Sequence, residues 1–161
     1  MADQIFSHRI LQFQLALLIF ALFFAPPCYA ENNTLSFLGS EACQECHPDE
    51  YLSFITHAKK SRSFNSVTKL EKGLTRDEVE KCYSCHTTGY GKPGGFIDSE
   101  QTPHLKNAGC EVCHGPGSRH VQTLRADDIK GILTTEDCKQ CHISERIKAF
   151  RYKPMIRGGA H

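Results

Sequence analysis

The chain has 161 residues, a length that suggests one domain, and its 19 basic and 18 acidic residues give a formal net charge of +1. This balance, without any stripe rich in lysine and arginine, excludes a strongly basic nucleic-acid-binding protein. Tryptophan is absent and large apolar residues are sparse after residue 31, so the chain cannot bury a sufficient core by itself.

The N-terminal segment has the pattern of an export signal. Residues 10–25, ILQFQLALLIFALFFA, are almost wholly apolar and follow a short segment that carries one arginine. The small residues that come next predict cleavage after Ala30, and the apolar run is short for a transmembrane span. We therefore expect a signal peptide at 1–30 and a mature domain at 31–161, in the periplasm or outside the cell. An uncleaved N-terminal anchor is the alternative.

Helix signals follow in the mature region. A first helical start is expected at Ser40, and YLSFITHAKKS at 51–61 has one apolar side. Thr75 and Glu78 form a capping-box pattern that predicts a second helix start.

The last helix is expected to begin at Thr134 or Thr135. Between the helices, residues 87–96, TTGYGKPGGF, contain too many glycines to continue a helix. The predicted fold is mainly α and compact, with short helices, long loops and little or no sheet.

Eight cysteines after residue 31 form four pairs of the same spacing, and a histidine directly follows each pair. The four segments are CQECH at 43–47, CYSCH at 82–86, CEVCH at 110–114 and CKQCH at 138–142. Cys-x-x-Cys-His is the signature of covalent c-type haem attachment. The cysteines add to the haem vinyl groups, and the histidine binds iron as the proximal ligand. Zinc sites and disulfide frameworks also use paired cysteines, but neither requires the histidine.

The sequence therefore predicts four haem c groups. The thioether-forming residues are Cys43, Cys46, Cys82, Cys85, Cys110, Cys113, Cys138 and Cys141, and the proximal ligands are His47, His86, His114 and His142. The four macrocycles would supply the core that the chain lacks, and we expect the haem-free chain to be largely unfolded. The glycine-rich loop at 87–96 is interpreted as a turn whose backbone passes close to a haem edge. It lacks the Gly-Lys-Ser/Thr of a phosphate-binding loop.

Outside the motifs and the signal, the number of histidines equals the number of sixth ligands that four bis-histidine haems need. These histidines are His57, His104, His120 and His161. Each has the alternative of being an ordinary surface or core histidine. Met155 is the alternative ligand for one haem, where Met/His ligation would raise the reduction potential.

His120 follows His114 by six residues across a Gly-Pro-Gly turn. A link of this length spans at most about 20 Å when fully extended. The turn leaves little slack to pass around the porphyrin held by His114 and reach its far face. The spacing therefore favours a different iron for His120.

Three segments together resemble the cytochrome c-554 family of tetrahaem cytochromes, from about Gly39 to Cys141. They are GSEACQECHPDEYLSFITHAKK, CYSCHTTGYGKPGGF and TPHLKNAGCEVCHGPGSRHV. The glycine loop followed by GCE-x-CHGPGS is the most specific part. The resemblance implies an all-α fold that packs around closely stacked haem pairs.

The resemblance also implies a set of sixth ligands. His57 corresponds to the family's ligand of the fourth haem, and His120 to that of the first haem. A histidine near the C-terminus serves the third haem, and here His161 is the one that remains. The family includes members whose second haem is five-coordinate, and His104 is available to close that haem here.

Two imidazoles on each iron leave no position for a substrate, which favours electron transfer over catalysis. We expect an electron carrier without catalytic residues. Its partners would be donor and acceptor proteins, with a membrane quinone-oxidising system as one candidate. Two alternatives stay open. One is a self-associating subunit of a polymeric extracellular cytochrome filament, and the other is a small multihaem reductase of nitrogen compounds with one open haem.

Overall fold

The structure is a computed structural model, and it describes residues 34–142. Within this range there are six α-helices: α1 (Pro48–His57), α2 (Phe64–Leu70), α3 (Arg76–His86), α4 (Glu111–His114), α5 (Ser118–Thr123) and α6 (Thr135–Lys139). Five 3₁₀ helices accompany them: η1 (Ser40–Cys43), η2 (Lys59–Arg62), η3 (Glu71–Gly73), η4 (Pro103–Leu105) and η5 (Ala126–Asp128). Residues 34–142 contain no strand, so the predicted mainly α fold is confirmed.

The signal peptide expected at 1–30 lies outside the described residues, as do Met155 and His161. Among the described residues, no helix combines the length and apolar character needed to cross a membrane.

Helix α1 links the first cysteine motif to a candidate ligand. Pro48 occupies the first turn, where its missing N–H and its fixed φ suit a helix start. Phe54 is the buried residue of this helix. The helix ends at His57 because Ala58 adopts an extended conformation, with φ −81° and ψ 114°. His57 thus lies exposed at the C-terminal end of α1.

Capping boxes begin the helices that carry the second and fourth motifs. The Thr75 N–H donates a hydrogen bond to the Glu78 carboxylate at 2.9 Å, and the Thr134 N–H donates to the Asp137 carboxylate at 2.8 Å. Each carboxylate satisfies an amide that has no partner within its helix. The helix starts predicted at Thr75 and Thr134 are therefore confirmed.

An aromatic core packs beside the second motif. Its buried centre consists of Phe37, Phe96 and Leu105. Tyr83, which lies inside the second motif, packs edge-on against Phe96 with 5.1 Å between the ring centroids. Burial raises the pKa of the Tyr83 phenol. This core holds α3 against the segment that precedes η1.

The glycine-rich loop closes over this core. A Cβ atom at Gly95 would lie 1.8 Å from the carbonyl oxygen of Gly89, and a Cβ atom at Gly89 would lie 2.7 Å from the Phe37 ring. Gly89 also has a φ of +72°, which favours glycine. The glycines thus let the loop fold on itself and on Phe37. Its approach to a haem edge stays a prediction.

The buried apolar core is small even when the aromatic core is included. The buried apolar residues of the described range are Phe37, Phe54, Ala58, Val67, Phe96, Leu105 and Ala108. By contrast, Val121 and Leu124 are 48% and 75% exposed. Burial of apolar surface against a bound group contributes about 25 cal/mol per Å². The chain therefore leaves apolar surface for a prosthetic group to cover.

Candidate haem-binding sites

Each cysteine motif forms one helical turn. In three motifs the histidine N–H donates to the carbonyl oxygen of the first cysteine: His47 to Cys43 at 2.9 Å, His114 to Cys110 at 3.1 Å and His142 to Cys138 at 2.9 Å. The second motif lies wholly within the last turns of α3. Residues three and four apart share one side of a helix, so both thiols and the imidazole of each motif project together.

The cysteine chemistry agrees with haem attachment. All eight motif cysteines are free of disulfide bonds. Within residues 34–142, no three His, Cys, Asp or Glu side chains are grouped so that they could hold a metal ion. Two free thiols on one helical turn, followed by an imidazole, suit thioether formation and iron binding.

A cavity of about 560 Å³ lies at the first motif. Cys43, Cys46 and His47 line it together with His120. Most of its other lining is apolar and includes Leu38, Phe54, Val121, Leu124 and Ile129. The volume lies within the range of cofactor pockets. The residues around the first motif therefore fit a haem. The exposed side chains of Val121 in α5 and of Leu124 at the end of α5 would cover it.

The imidazole rings of His47 and His120 approach each other in this cavity. Their centroids are 6.3 Å apart and their planes are inclined by 29°. A metal ion bound between two imidazoles, with bonds of about 2 Å on each side, gives a centroid separation of about 6 Å. An ordinary aromatic contact can also span this distance. The hydrogen bonds of the rings therefore help to decide whether His120 is an iron ligand.

A hydrogen bond determines which ring nitrogen of His120 is available. Nδ1 lies 2.8 Å from the carbonyl oxygen of Arg125. Because a carbonyl oxygen only accepts, Nδ1 carries the proton and Nε2 keeps its lone pair for a metal. This arrangement is typical of metal-bound imidazole. Two of the predicted proximal ligands share it: His86 with the Ser63 carbonyl at 2.8 Å, and His114 with the Lys130 carbonyl at 2.7 Å.

Leu124 turns the chain so that the Arg125 carbonyl can reach His120. Its φ of +57° makes it the only residue other than glycine with a positive φ in the described range. Its N–H donates to the His120 carbonyl at 2.7 Å and ends α5. The left-handed conformation costs about 1–2 kcal/mol for a residue with a side chain. Leucine is useful here because the side chain also lines the cavity.

The first and third motifs are in contact through their first cysteines. A hydrogen bond between the two thiols raises the pKa of Cys43 and lowers the pKa of Cys110 to about 6. The Cys110 N–H also donates to the Ser40 hydroxyl at 3.0 Å. The third motif therefore lies directly against η1.

Two further contacts join the other motifs. The Cys141 thiol donates to the carbonyl oxygen of Ser84 at 4.0 Å, so the fourth motif lies next to the second. Burial and the neighbouring Cys85 thiol raise the pKa of Cys141 to about 12. Lys130 joins the third and fourth motifs, because its N–H donates to the His114 carbonyl oxygen at 3.1 Å and its side chain donates to the Asp137 carboxylate. The motifs thus neighbour one another in the order first, third, fourth, second.

His57 lies three residues before Lys60, which is close to the fourth motif. Burial and the charge of Lys60 lower the pKa of His142. The segment that follows His57 therefore lies beside the motif whose haem the family resemblance assigns to His57.

His104 lies exposed in η4. Its ring approaches Gly39, where a Cβ atom would be 3.4 Å from the ring Cδ2. The adjacent Leu105 carbonyl accepts a hydrogen bond from the Thr88 N–H at 2.9 Å, two residues beyond the second motif. The 3₁₀ helix η4 therefore lies between η1 and the second motif, and the role of His104 at the second haem stays a prediction.

Sequence reasoning did not identify Glu111, which lies inside the third motif. The residue is only 3% exposed, although charged residues are almost never fully buried. Its carboxylate accepts hydrogen bonds from the N–H groups of Leu38, Gly39 and Gly117. The signal in the sequence was its place in GCE-x-CHGPGS, the segment most specific to the family. Its partners could not be foreseen, because Leu38 is 73 residues away.

The chain is similar to known proteins in sequence and in fold. Residues 42–115 match the family model described as cytochrome c554 and c-prime. Cytochrome c-554 of Nitrosomonas europaea is 34% identical over 138 residues, a match that covers 67% of this chain and 58% of that relative. The structure of reduced cytochrome c554 from Nitrosomonas europaea aligns with a TM-score of 0.58 at 20% identity, over 80% of this chain and 86% of that one.

The structural likeness supports the all-α fold, and the sequence match supports the family. The match with the family model begins within η1 and ends directly after the third motif, so it includes the cavity-lining motif residues, η4 and Glu111. Motif spacing, helical architecture and sequence similarity lead to one conclusion: the chain belongs to the cytochrome c-554 family.

Proposed function

We propose that the protein binds four haem c groups covalently and relays electrons between redox partners outside the cytoplasm. Each haem, when bound, supplies one iron that accepts and releases one electron. Family membership implies covalent haem c, and the number four rests on the four motifs. The observation that carries the proposal is the series of neighbouring motifs, connected by hydrogen bonds in the order first, third, fourth, second.

The chain's own residues would hold and orient the haems. The cysteines of each motif attach the macrocycle, and the motif histidine binds iron on the proximal side. Support for a second imidazole is strongest at the first haem, where His120 approaches His47 and has a protonated Nδ1. We assign His57 to the fourth haem, His104 to the second and His161 to the third, as in the family resemblance.

Nδ1 hydrogen bonds to backbone carbonyls would contribute in two ways. They fix the orientation of each imidazole, so that oxidation and reduction of the iron require little movement. They also raise the basicity of Nε2, which favours the ferric state. His86, His114 and His120 share this arrangement. A relay of fixed bis-histidine sites carries electrons without an open position for substrate.

The proposed location is the periplasm or the extracellular space. The predicted signal peptide at 1–30 is the basis, and covalent haem attachment agrees with an exported protein. Donor and acceptor proteins, among them a membrane quinone-oxidising system, are the expected partners. Intact mass of the exported protein tests this directly. The expected N-terminus is Glu31, and a mass that retains residues 1–30 would support an uncleaved anchor.

Haem counting and spin-state spectroscopy of the purified holoprotein test the relay. Pyridine haemochrome analysis should give four haems per chain, and electron paramagnetic resonance should show only low-spin ferric haem. Fewer than four haems would contradict the proposal. A high-spin haem that binds carbon monoxide would favour the reductase, and filaments in electron micrographs would favour the filament subunit.

A further inference from the structure

Glu111 has an environment that is unusual for a carboxylate. One oxygen accepts the Gly117 N–H at 2.7 Å, and the other accepts the Gly39 N–H at 2.8 Å. The Leu38 N–H lies 3.0 Å from both oxygens. No ion pair within residues 34–142 includes this side chain. The negative charge is therefore buried and is balanced by backbone dipoles instead of a cation.

The donors come from segments that form the first haem site. Leu38 and Gly39 precede η1, which ends at the first cysteine of the first motif. Gly117 directly precedes α5, which carries His120. Glu111 itself lies in the third motif. One side chain thus connects the two segments whose imidazoles approach each other and fixes both to a second haem site.

Glycine is needed at one of the donors, Gly39, and leaves room for the carboxylate at a second, Gly117. Gly39 has a φ of +84°, and a Cβ atom there would lie 2.8 Å from the His104 carbonyl oxygen. A Cβ atom at Gly117 would lie 3.2 Å from Glu111 Oε1, tighter than ordinary van der Waals contact. At both glycines the backbone N–H can approach the Glu111 carboxylate closely, so backbone groups enclose the carboxylate.

We propose that Glu111 is a positioning residue for the first haem and that its buried charge lowers the reduction potentials of the first and third haems. The side chain holds α5 against the first motif and thereby sets the approach of His120 to His47. It also lines the cavity of the first motif. A fixed negative charge in a site of low dielectric constant stabilises the ferric state more than the ferrous state. This inference rests on the proposed function.

Glu111→Gln in the holoprotein tests the charge, because glutamine has nearly the same shape without the charge. Spectroelectrochemical titration should show that two of the four potentials rise. The expected change is about tenfold in the reduction equilibrium of each, or about 59 mV for one electron. Glu41→Gln is the matched control, since Glu41 is exposed and lies two residues before the first motif. In the Glu41→Gln variant the haem potentials should move much less, because water screens the charge of an exposed carboxylate. Equal shifts in both variants would overturn the electrostatic part.

Glu111→Asp tests positioning, because it keeps the charge and shortens the reach. A fraction of the first haem should become high-spin while the potentials of the low-spin haems stay near those of the original protein. If the Glu111→Gln protein fails to accumulate, the Glu111→Asp protein still tests the positioning role. A fully low-spin spectrum of Glu111→Asp would overturn the positioning role. Failure of the proposed function is separate, because it would appear as fewer than four haems in the unsubstituted protein.

Discussion

The two halves of the motif series are stabilised in different ways. The first and third motifs are joined by a buried carboxylate, a thiol contact and hydrogen bonds to backbone groups. The second motif lies on a long capped helix against an aromatic core, and the fourth contacts it through cysteines. The comparison shows that a buried carboxylate joins the motifs of one half, whereas packing against an aromatic core places the motif-bearing helix of the other.

The largest expected effect comes from removing His120, the candidate sixth ligand whose imidazole is fixed by a hydrogen bond to the Arg125 carbonyl. His120→Ala should convert one haem of four to a high-spin form that binds carbon monoxide, because the first iron loses its second imidazole. Electron paramagnetic resonance measures the spin state. Gln122→Ala on the exposed part of α5 is the control and should leave all haems low-spin. A fully low-spin His120→Ala protein would remove the residue from the ligand set.

In the other half, a packing change should have the largest effect. Phe96 is 3% exposed, whereas its neighbour Ile97 is 57% exposed. Phe96→Ala should lower the free energy of unfolding by about 3–5 kcal/mol, because it leaves a cavity in the aromatic core.

Denaturant unfolding of the holoprotein checks this value. Ile97→Ala should cost much less, since its side chain already contacts water. Equal costs for the two variants would show that the aromatic core does not determine the stability of this half.

A smaller effect is expected at the start of α3. Thr75→Ala removes the capping hydroxyl and should lower the free energy of unfolding by about 0.5–2 kcal/mol. Thr68→Ala, at an exposed position of α2, is the matched control. Thermal unfolding of both variants measures the difference, and a Thr75 variant as stable as the control would mean that packing alone maintains this helix.

The smallest effect concerns the ion pair between the halves. Lys130 donates to the carboxylate of Asp137, and this hydrogen bond, with that from Thr134, lowers the pKa of Asp137 from 3.8 to about 2. A lowered pKa stabilises the fold fully above about pH 4, and this contribution is lost as the pH falls towards 2. The Lys130 side chain is 44% exposed, so water screens the pair and the effect is small.

Amide hydrogen exchange of α6, measured while the pH is lowered, tests the contribution of this ion pair. Asp137→Asn should remove the added loss of protection between about pH 4 and pH 2. Asp127→Asn is the control, because the Asp127 side chain is 89% exposed. The same acid profile in both variants would show that the Lys130 contact does not stabilise α6.

Local features were predictable from the sequence because they depend on neighbouring residues. The one-turn geometry of each motif follows from its spacing, and the helix starts at Thr75 and Thr134 follow from their capping partners three residues away. The bond from His120 to the Arg125 carbonyl was not predictable, because it needs Leu124 in a conformation that leucine rarely adopts.

Long-range contacts explain what else the sequence could not reveal. Glu111 meets backbone groups of Leu38 and Gly39 across more than 70 residues, and no periodicity encodes that pairing. The order of the motifs in space differs from their order in the chain for the same reason. The Cys110 N–H of the third motif meets the Ser40 hydroxyl beside the first motif, although the second motif lies between these residues in the chain.

Location of the four irons in crystals of the holoprotein, by anomalous scattering, tests the central claim most directly. We predict one iron between the Nε2 atoms of His47 and His120, and an iron series in the order first, third, fourth, second. An iron bound by His47 without His120, or a first iron whose nearest neighbour is not the third, would contradict it.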